Sequence, residues 1–230
     1  MAALTWLGHA TFLLESDEGK RIYIDPFLNG NPKTPDSAKT PEQVDVIAIT
    51  HGHGDHVGDA VALSKAFPDA SIVAQVELKG WLGSQGANVG QMPGTNKGGS
   101  IVVDGITFTL VNAFHSSSSD SGDYLGEACG IVIELEGGKT LYFAGDTCVF
   151  GDMALIHRIY APDYAVLPIG DFFTMGPREA AVALELLGNP PCIPCHWGTF
   201  PVLTGTPEQL RAEAPEANVI DVEPGGTIQL

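Results

Sequence analysis

Positive charge is scarce in this chain. Its 230 residues carry 11 Lys and Arg against 28 Asp and Glu, a formal net charge of −17. Phosphate backbones are held by Lys and Arg, so that balance argues against a nucleic-acid partner. It argues equally against docking on an anionic membrane surface. Long hydrophobic runs are missing too. No stretch approaches the about 18 consecutive apolar residues that a membrane span needs. The opening Met1-Ala2-Ala3-Leu4-Thr5-Trp6 has neither a basic region nor a long apolar run, so it does not read as a secretory signal. There is no tandem repeat, low-complexity tract or linker. With no composition break either, residues 1–230 read as one domain.

Cysteine is sparse, at Cys129, Cys148, Cys192 and Cys195. Cys192-Ile-Pro-Cys195 has the C-x-x-C spacing but sits in a short apolar run. In an extended chain, residues three apart lie about 10 Å from each other on opposite faces. A disulfide there would need the chain to bend. Packed thiols in a reducing, cytoplasmic setting are the expectation.

What is present is an alternation of short β-branched runs with helix-like runs. Thr11–Leu14 and Arg21–Ile24 predict a hairpin turning at Asp17-Glu18-Gly19-Lys20. A Pro/Asn/Gly-rich loop follows, from Pro26 to Pro41. Val44–Thr50 is nearly continuously apolar, as a strand covered on both faces should be. Helices are expected over 57–67, Val76–Leu82, 152–160, Pro177–Leu187 and Pro207–Glu213. Further strands are expected at Ile72–Ala74, Ile106–Val111, Ile131–Leu135, Leu141–Ala144, Tyr164–Pro168, around Ile193, Val219–Val222 and Thr227–Gln229. Two β-rich halves with helices outside predict an α/β fold, two sheets packed face to face and flanked by helices.

One segment stands out: Thr50-His51-Gly52-His53-Gly54-Asp55-His56, directly after a buried strand. At this chain's His and Asp frequencies, H-x-H-x-D-H arises by chance roughly 4 times in 10,000. His51 and His53 alternate, so in an extended segment their rings point the same way. The glycines let the backbone turn tightly. Asp55 and His56 then fall where a helix begins and can face a second cation. Imidazole and carboxylate suit Zn, Fe, Mn or Ni without a thiolate. Three more candidates sit just past strand ends: His115, Asp146 and His196. Site residues gather at such ends in α/β folds.

The set His51, His53, Asp55, His56, His115, Asp146 and His196 resembles the ligand pattern of the metallo-β-lactamase-fold hydrolases. Thr5-Trp6-Leu7-Gly8-His9-Ala10-Thr11, Ile24-Asp25-Pro26-Phe27-Leu28 and Gly170-Asp171-Phe172-Phe173-Thr174-Met175-Gly176-Pro177 narrow the likeness to one group. Its members are bacterial and archaeal metal-dependent hydrolases similar to ascorbate-6-phosphate lactonase. They share Gly-His-Ala-Thr with the N-acyl-phosphatidylethanolamine phospholipase D enzymes. The resemblance implies an αββα sandwich with the site at one edge. It also implies two divalent ions, zinc first, with Mn, Fe or Ni as alternatives. His51, His53 and His115 would hold one ion and Asp55, His56 and His196 the other, with Asp146 bridging. A hydroxide between the ions would attack an ester, lactone or phosphodiester of a small molecule. Asp55 could also orient that nucleophile, and His9 would face the pocket as a proton donor or substrate contact. Asp25 and Thr50 would set histidine tautomers through hydrogen bonds.

Cys148 and Cys195 depart from the group's pattern, which has glycine and an apolar residue such as methionine there. His157 reads as a surface or packing residue, and Ser116–Ser119 as a flexible loop over the site. Phe27, Phe150, Phe172, Phe173, Trp197 and Phe200 either line a binding wall or belong to the core. Cations to grip a phosphate are few. Two other functions use the same ligands: a di-iron redox protein and a non-catalytic metal-binding protein. A homo-oligomer fits the resemblance, but the sequence shows no interface.

Overall fold

The computed structural model describes residues 1–230. Five strands lead the first half: β1 (Ala3–Trp6), β2 (Phe12–Glu15), β3 (Arg21–Ile24), β4 (Val46–Ala48) and β5 (Ser71–Val73). They form one sheet with β12 (Thr227–Gln229), in the order β12-β1-β2-β3-β4-β5. The second sheet holds β6 (Ser100–Val103), β7 (Ile106–Asn112), β8 (Cys129–Glu134), β9 (Thr140–Phe143), β10 (Tyr164–Pro168) and β11 (Cys192–Cys195). Its order is β11-β10-β9-β8-β7-β6. Each sheet has three antiparallel pairings on one side and two parallel ones on the other.

Three apolar clusters explain the layering. One joins the facing sides of the two sheets through Leu4, Phe12, Leu14, Val46, Phe108, Ile131 and Phe143. A second packs α4 (Met153–Tyr160), α5 (Pro177–Leu186) and α6 (Pro207–Glu213) on the outside of the second sheet. The third packs α1 (Gly54–Val57), α2 (Ala60–Ala66) and α3 (Val76–Ser84) on the outside of the first. β4 shows why its run is continuously apolar: Val46 and Ala48 join the middle cluster while Ile47 joins the outer one. The result is the expected αββα sandwich. No helix is long and apolar enough to cross a membrane.

Several expectations need correction. The helix over 57–67 is two helices, broken at Gly58 (φ 31°). A Cβ there would meet the Pro26 carbonyl at 2.6 Å and Phe27 Cα at 2.7 Å. The break is held open by Asp59, whose N–H donates to Pro26 O and whose carboxylate accepts from the Leu28 and Asn29 N–H groups. Val219–Val222 is not a strand, and Val219 makes a single bridge to Cys192. All four cysteines are free, and Cys192 and Cys195 lie buried within β11. Burial pushes the Cys192 thiol up to about 12, which suits an inert packed group.

Candidate metal centre

The strands that feed the site run parallel within each sheet and point to one edge: β1, β3 and β4 in the first, β7, β9 and β11 in the second. Past their ends stand His9, Asp25, the 51–56 segment, His115, Asp146 and His196. Three of these residues, His9, Asp25 and His196, adopt left-handed backbone angles of 55°, 46° and 54°. Non-glycine residues avoid that region, and where they occupy it the surroundings hold them there.

The structure brings all seven expected ligands together in two groups of donor atoms. His51, His53, His115 and Asp146 form one, and Asp55, His56 and His196 join His9 in the other. Within each group the donors lie within 4.8 Å of one another. His51 Nε2 is 3.0 Å from His53 Nδ1. Asp146 stands between the groups. Its Oδ2 is 3.5 Å from His115 Nε2 and 3.2 Å from His196 Nε2, and its Oδ1 is 3.4 Å from His56 Nε2.

Hydrogen bonds outside the cluster decide which nitrogens face in. Asp25 accepts the Thr50 N–H at 2.8 Å, the Thr50 hydroxyl at 2.7 Å and the His56 Nδ1–H at 2.8 Å. With its proton given to Asp25, the Thr50 hydroxyl accepts from His51 Nδ1 at 3.0 Å. His51 and His56 therefore both turn Nε2 inward. Burial opposes a charge on His56, yet the carboxylates of Asp146 and Asp25 raise it well above the ordinary imidazole value, so a metal bound there would take the place of a proton. Asp25 and Thr50 thus each hydrogen-bond a histidine of the cluster.

This arrangement leaves two inward-facing atoms unpaired. His56 Nε2 and Asp146 Oδ1 are buried and have no hydrogen-bond partner. Such orphans are costly in a protein interior unless a cation satisfies them. Donor separations of 3.0–3.9 Å match neighbouring ligands held at about 2.0–2.1 Å from one ion. Burial opposes ionisation of Asp146, yet His196 and His56 hold its carboxyl well below the usual range. Burial likewise opposes a charge on His196, but the carboxylates of Asp146 and Asp55 lift it to about 9. Burial keeps His51, His53 and His115 below the ordinary imidazole value. The residues present therefore fit divalent metal.

The comparisons with known proteins agree. Residues 20–197 match the family model described as the beta-lactamase superfamily domain. A UPF0173 metal-dependent hydrolase of Herpetosiphon aurantiacus is 52% identical over 214 residues, covering 91% of this chain and 88% of the relative. Another, from Koribacter versatilis, is 47% identical and spans 97% of this chain and 96% of its own. This chain belongs to the UPF0173 metal-dependent hydrolase family, within the metallo-β-lactamase superfamily. Among solved structures it is similar to Igni18, a metallo hydrolase from the archaeon Ignicoccus hospitalis. The TM-score is 0.87 at 34% identity, over 99% of this chain and 97% of that one.

The UPF0173 site also holds surprises. His9, which the resemblance implied would face the pocket, is fully buried. Its Nε2 lies 2.9 Å from Asp55 Oδ2 and its Nδ1 3.1 Å from Thr199 Oγ1. Thr199 lies 190 residues away and carries no sequence signal. Asp120, also unforeseen, puts its carboxylate against Gly54 at the start of α1. The serine run is tied down: Ser117 is buried and accepts the Gly52 N–H, and Ser119 binds Asp123. Cys148 and His157 are exposed. The aromatics divide. Phe150 is core, Trp197 stacks on Trp6, and Phe27 and Phe200 flank His9. Phe172 and Phe173 stand exposed, 68% and 55%. No lysine or arginine pairs with any member of the two donor groups.

Proposed function

We propose that this chain is a binuclear metal-dependent hydrolase acting on an ester, lactone or phosphodiester of a small molecule. The observation that carries this reading is the pair of buried, unpartnered atoms, His56 Nε2 and Asp146 Oδ1, inside a ring of imidazoles and carboxylates. His51, His53 and His115 would hold one ion and Asp55, His56 and His196 the other, with Asp146 placed between the two groups. Zinc suits this N/O donor set, and Mn, Fe and Ni share it. Ions held there supply Lewis acidity toward a carbonyl or phosphoryl oxygen and lower the pKa of water toward neutrality.

The protein's part is orientation. Asp25 and Thr50 hold His51 and His56 with Nε2 inward, and imidazoles kept neutral by burial remain available as ligands. Asp55 is the more open carboxylate, with 32% of its side chain exposed against 3% for Asp146. It is placed to orient a nucleophile as well as to ligate. The absence of paired cations favours substrates with little anionic charge. Free buried thiols suit a reducing compartment such as the cytoplasm. The net charge of −17 disfavours nucleic acid as substrate.

The test is metal content by plasma mass spectrometry, paired with lactones, thioesters, phosphodiesters and phosphomonoesters on the same sample. About two ions per chain with turnover of one class supports the reading and selects the bond. Visible absorption of a coupled di-iron centre in protein from its own host, with no hydrolysis, would replace it by a redox role. Two ions with neither activity would favour metal-dependent binding.

A further inference from the structure

We infer that His9 and Thr199 form a positioning pair that fixes the Asp55 carboxylate, and that His9 neither ligates metal nor touches substrate. This rests on the reading that Asp55 holds one of the two ions. The first ground is that both His9 nitrogens are already committed, unlike His56 Nε2. A carboxylate only accepts, so His9 Nε2 carries the proton and donates it to Asp55 Oδ2. His9 Nδ1 is then an acceptor, and the Thr199 hydroxyl donates to it at 3.1 Å. The competing acceptor for that hydroxyl, Trp197 O, is farther away at 3.4 Å.

The second ground is that the ring cannot turn. It is fully buried, with Phe27 and Phe200 edge-on at 6.1 and 5.4 Å. The third is the backbone. His9 sits at φ 55°, and its carbonyl accepts both the Trp6 indole N–H and the His196 N–H at 2.9 Å. One strained residue thus holds the Asp55 side chain and the main chain of His196. Asp55 needs such an anchor. It lies on a helix of four residues, and its side chain is the partly open carboxylate of the site. Without His9 it can swing toward water.

The test is chelator competition on wild-type, His9→Ala, His9→Gln, Thr199→Val and Thr199→Ser proteins, with the absorption spectrum of each Co(II)-loaded form. Two affinities are expected for wild type. His9→Ala should weaken one of them about 10- to 100-fold and leave the other in place. The spectrum of the weakened site should change. His9→Gln, which keeps an N–H donor of similar reach, should recover most of the loss. Thr199→Val should lose several-fold and Thr199→Ser should not. Unchanged affinities and spectrum in His9→Ala would overturn the inference. So would His9→Gln failing as badly as His9→Ala while Thr199→Val binds normally, since the ring itself would then be a ligand or mere packing. If His9→Ala does not fold, His9→Gln and the two Thr199 variants decide. Fewer than two ions in the wild type would overturn the binuclear reading, and this inference with it.

Discussion

Asp25 has both carboxylate oxygens occupied by three donors, and two of those donors belong to Thr50. Asp25→Ala would strand the buried Thr50 N–H and free the His56 ring to rotate. A stranded buried donor costs about 1–3 kcal/mol. Loss of a ligand's hydrogen-bond partner typically costs about 10- to 100-fold in metal affinity. Both losses are expected in this variant, read by urea unfolding and chelator competition. His196 gives a pH prediction for metal-free protein. Its folded value is raised to about 9 from an ordinary 6.5. The folded state therefore binds the extra proton, and the associated stability is complete below pH 6.5 and lost as pH climbs through about 9. Melting temperatures of chelated protein should fall across that window, and metal-loaded protein should lack the fall. At this scale the sequence was informative where donors cluster. H-x-H-x-D-H announces itself, and Asp25 and Thr50 came with the family likeness. Thr199 did not, because only tertiary folding joins it to His9.

At the scale of elements, buried strands were legible because their runs are apolar. The edges were not. β6 is a short strand with alternating exposure, and β1 is only four residues long. The Asp104-Gly105 pair between β6 and β7 has φ of 50° and 81°, and such a pair is the sequence signal for that hairpin. Gly58 shows the limit of periodicity, since the helical pattern runs on while the Pro26–Phe27 backbone forbids it. The loop after β10 carries Asp171 and Phe172, both left-handed at 62° and 57°. It is pinned by the Met175 N–H to Thr147 O, one residue past Asp146, and by Gly170 against the His196 carbonyl. A left-handed non-glycine residue costs about 1–2 kcal/mol. Phe172→Gly should thus be more stable than Phe172→Ala by about 1 kcal/mol in urea unfolding, reversing the usual order of those residues. The reverse ranking would show that the loop carries no such strain.

At the scale of the molecule, each half contributes a sheet with the same sequence of pairings, and neither half carries a full donor set. His9, His51, His53, Asp55 and His56 come from the first half and His115, Asp146 and His196 from the second. The alternation of elements was enough to predict two stacked sheets. It could not show that the last strand, β12, returns to pair with the first. Deleting residues 225–230 should expose the β1 edge and remove the Leu230 N–H bond to Ala2 O. Aggregation on gentle heating, followed by light scattering, is the expected outcome.

That closing pairing also sets a timetable. A ribosome makes β1 more than two hundred residues before β12. At typical elongation rates of about 5–20 residues per second, the first sheet waits some ten seconds or more with one edge bare. His196 emerges before that edge is covered, so every candidate donor of the site has been made before the first sheet is finished.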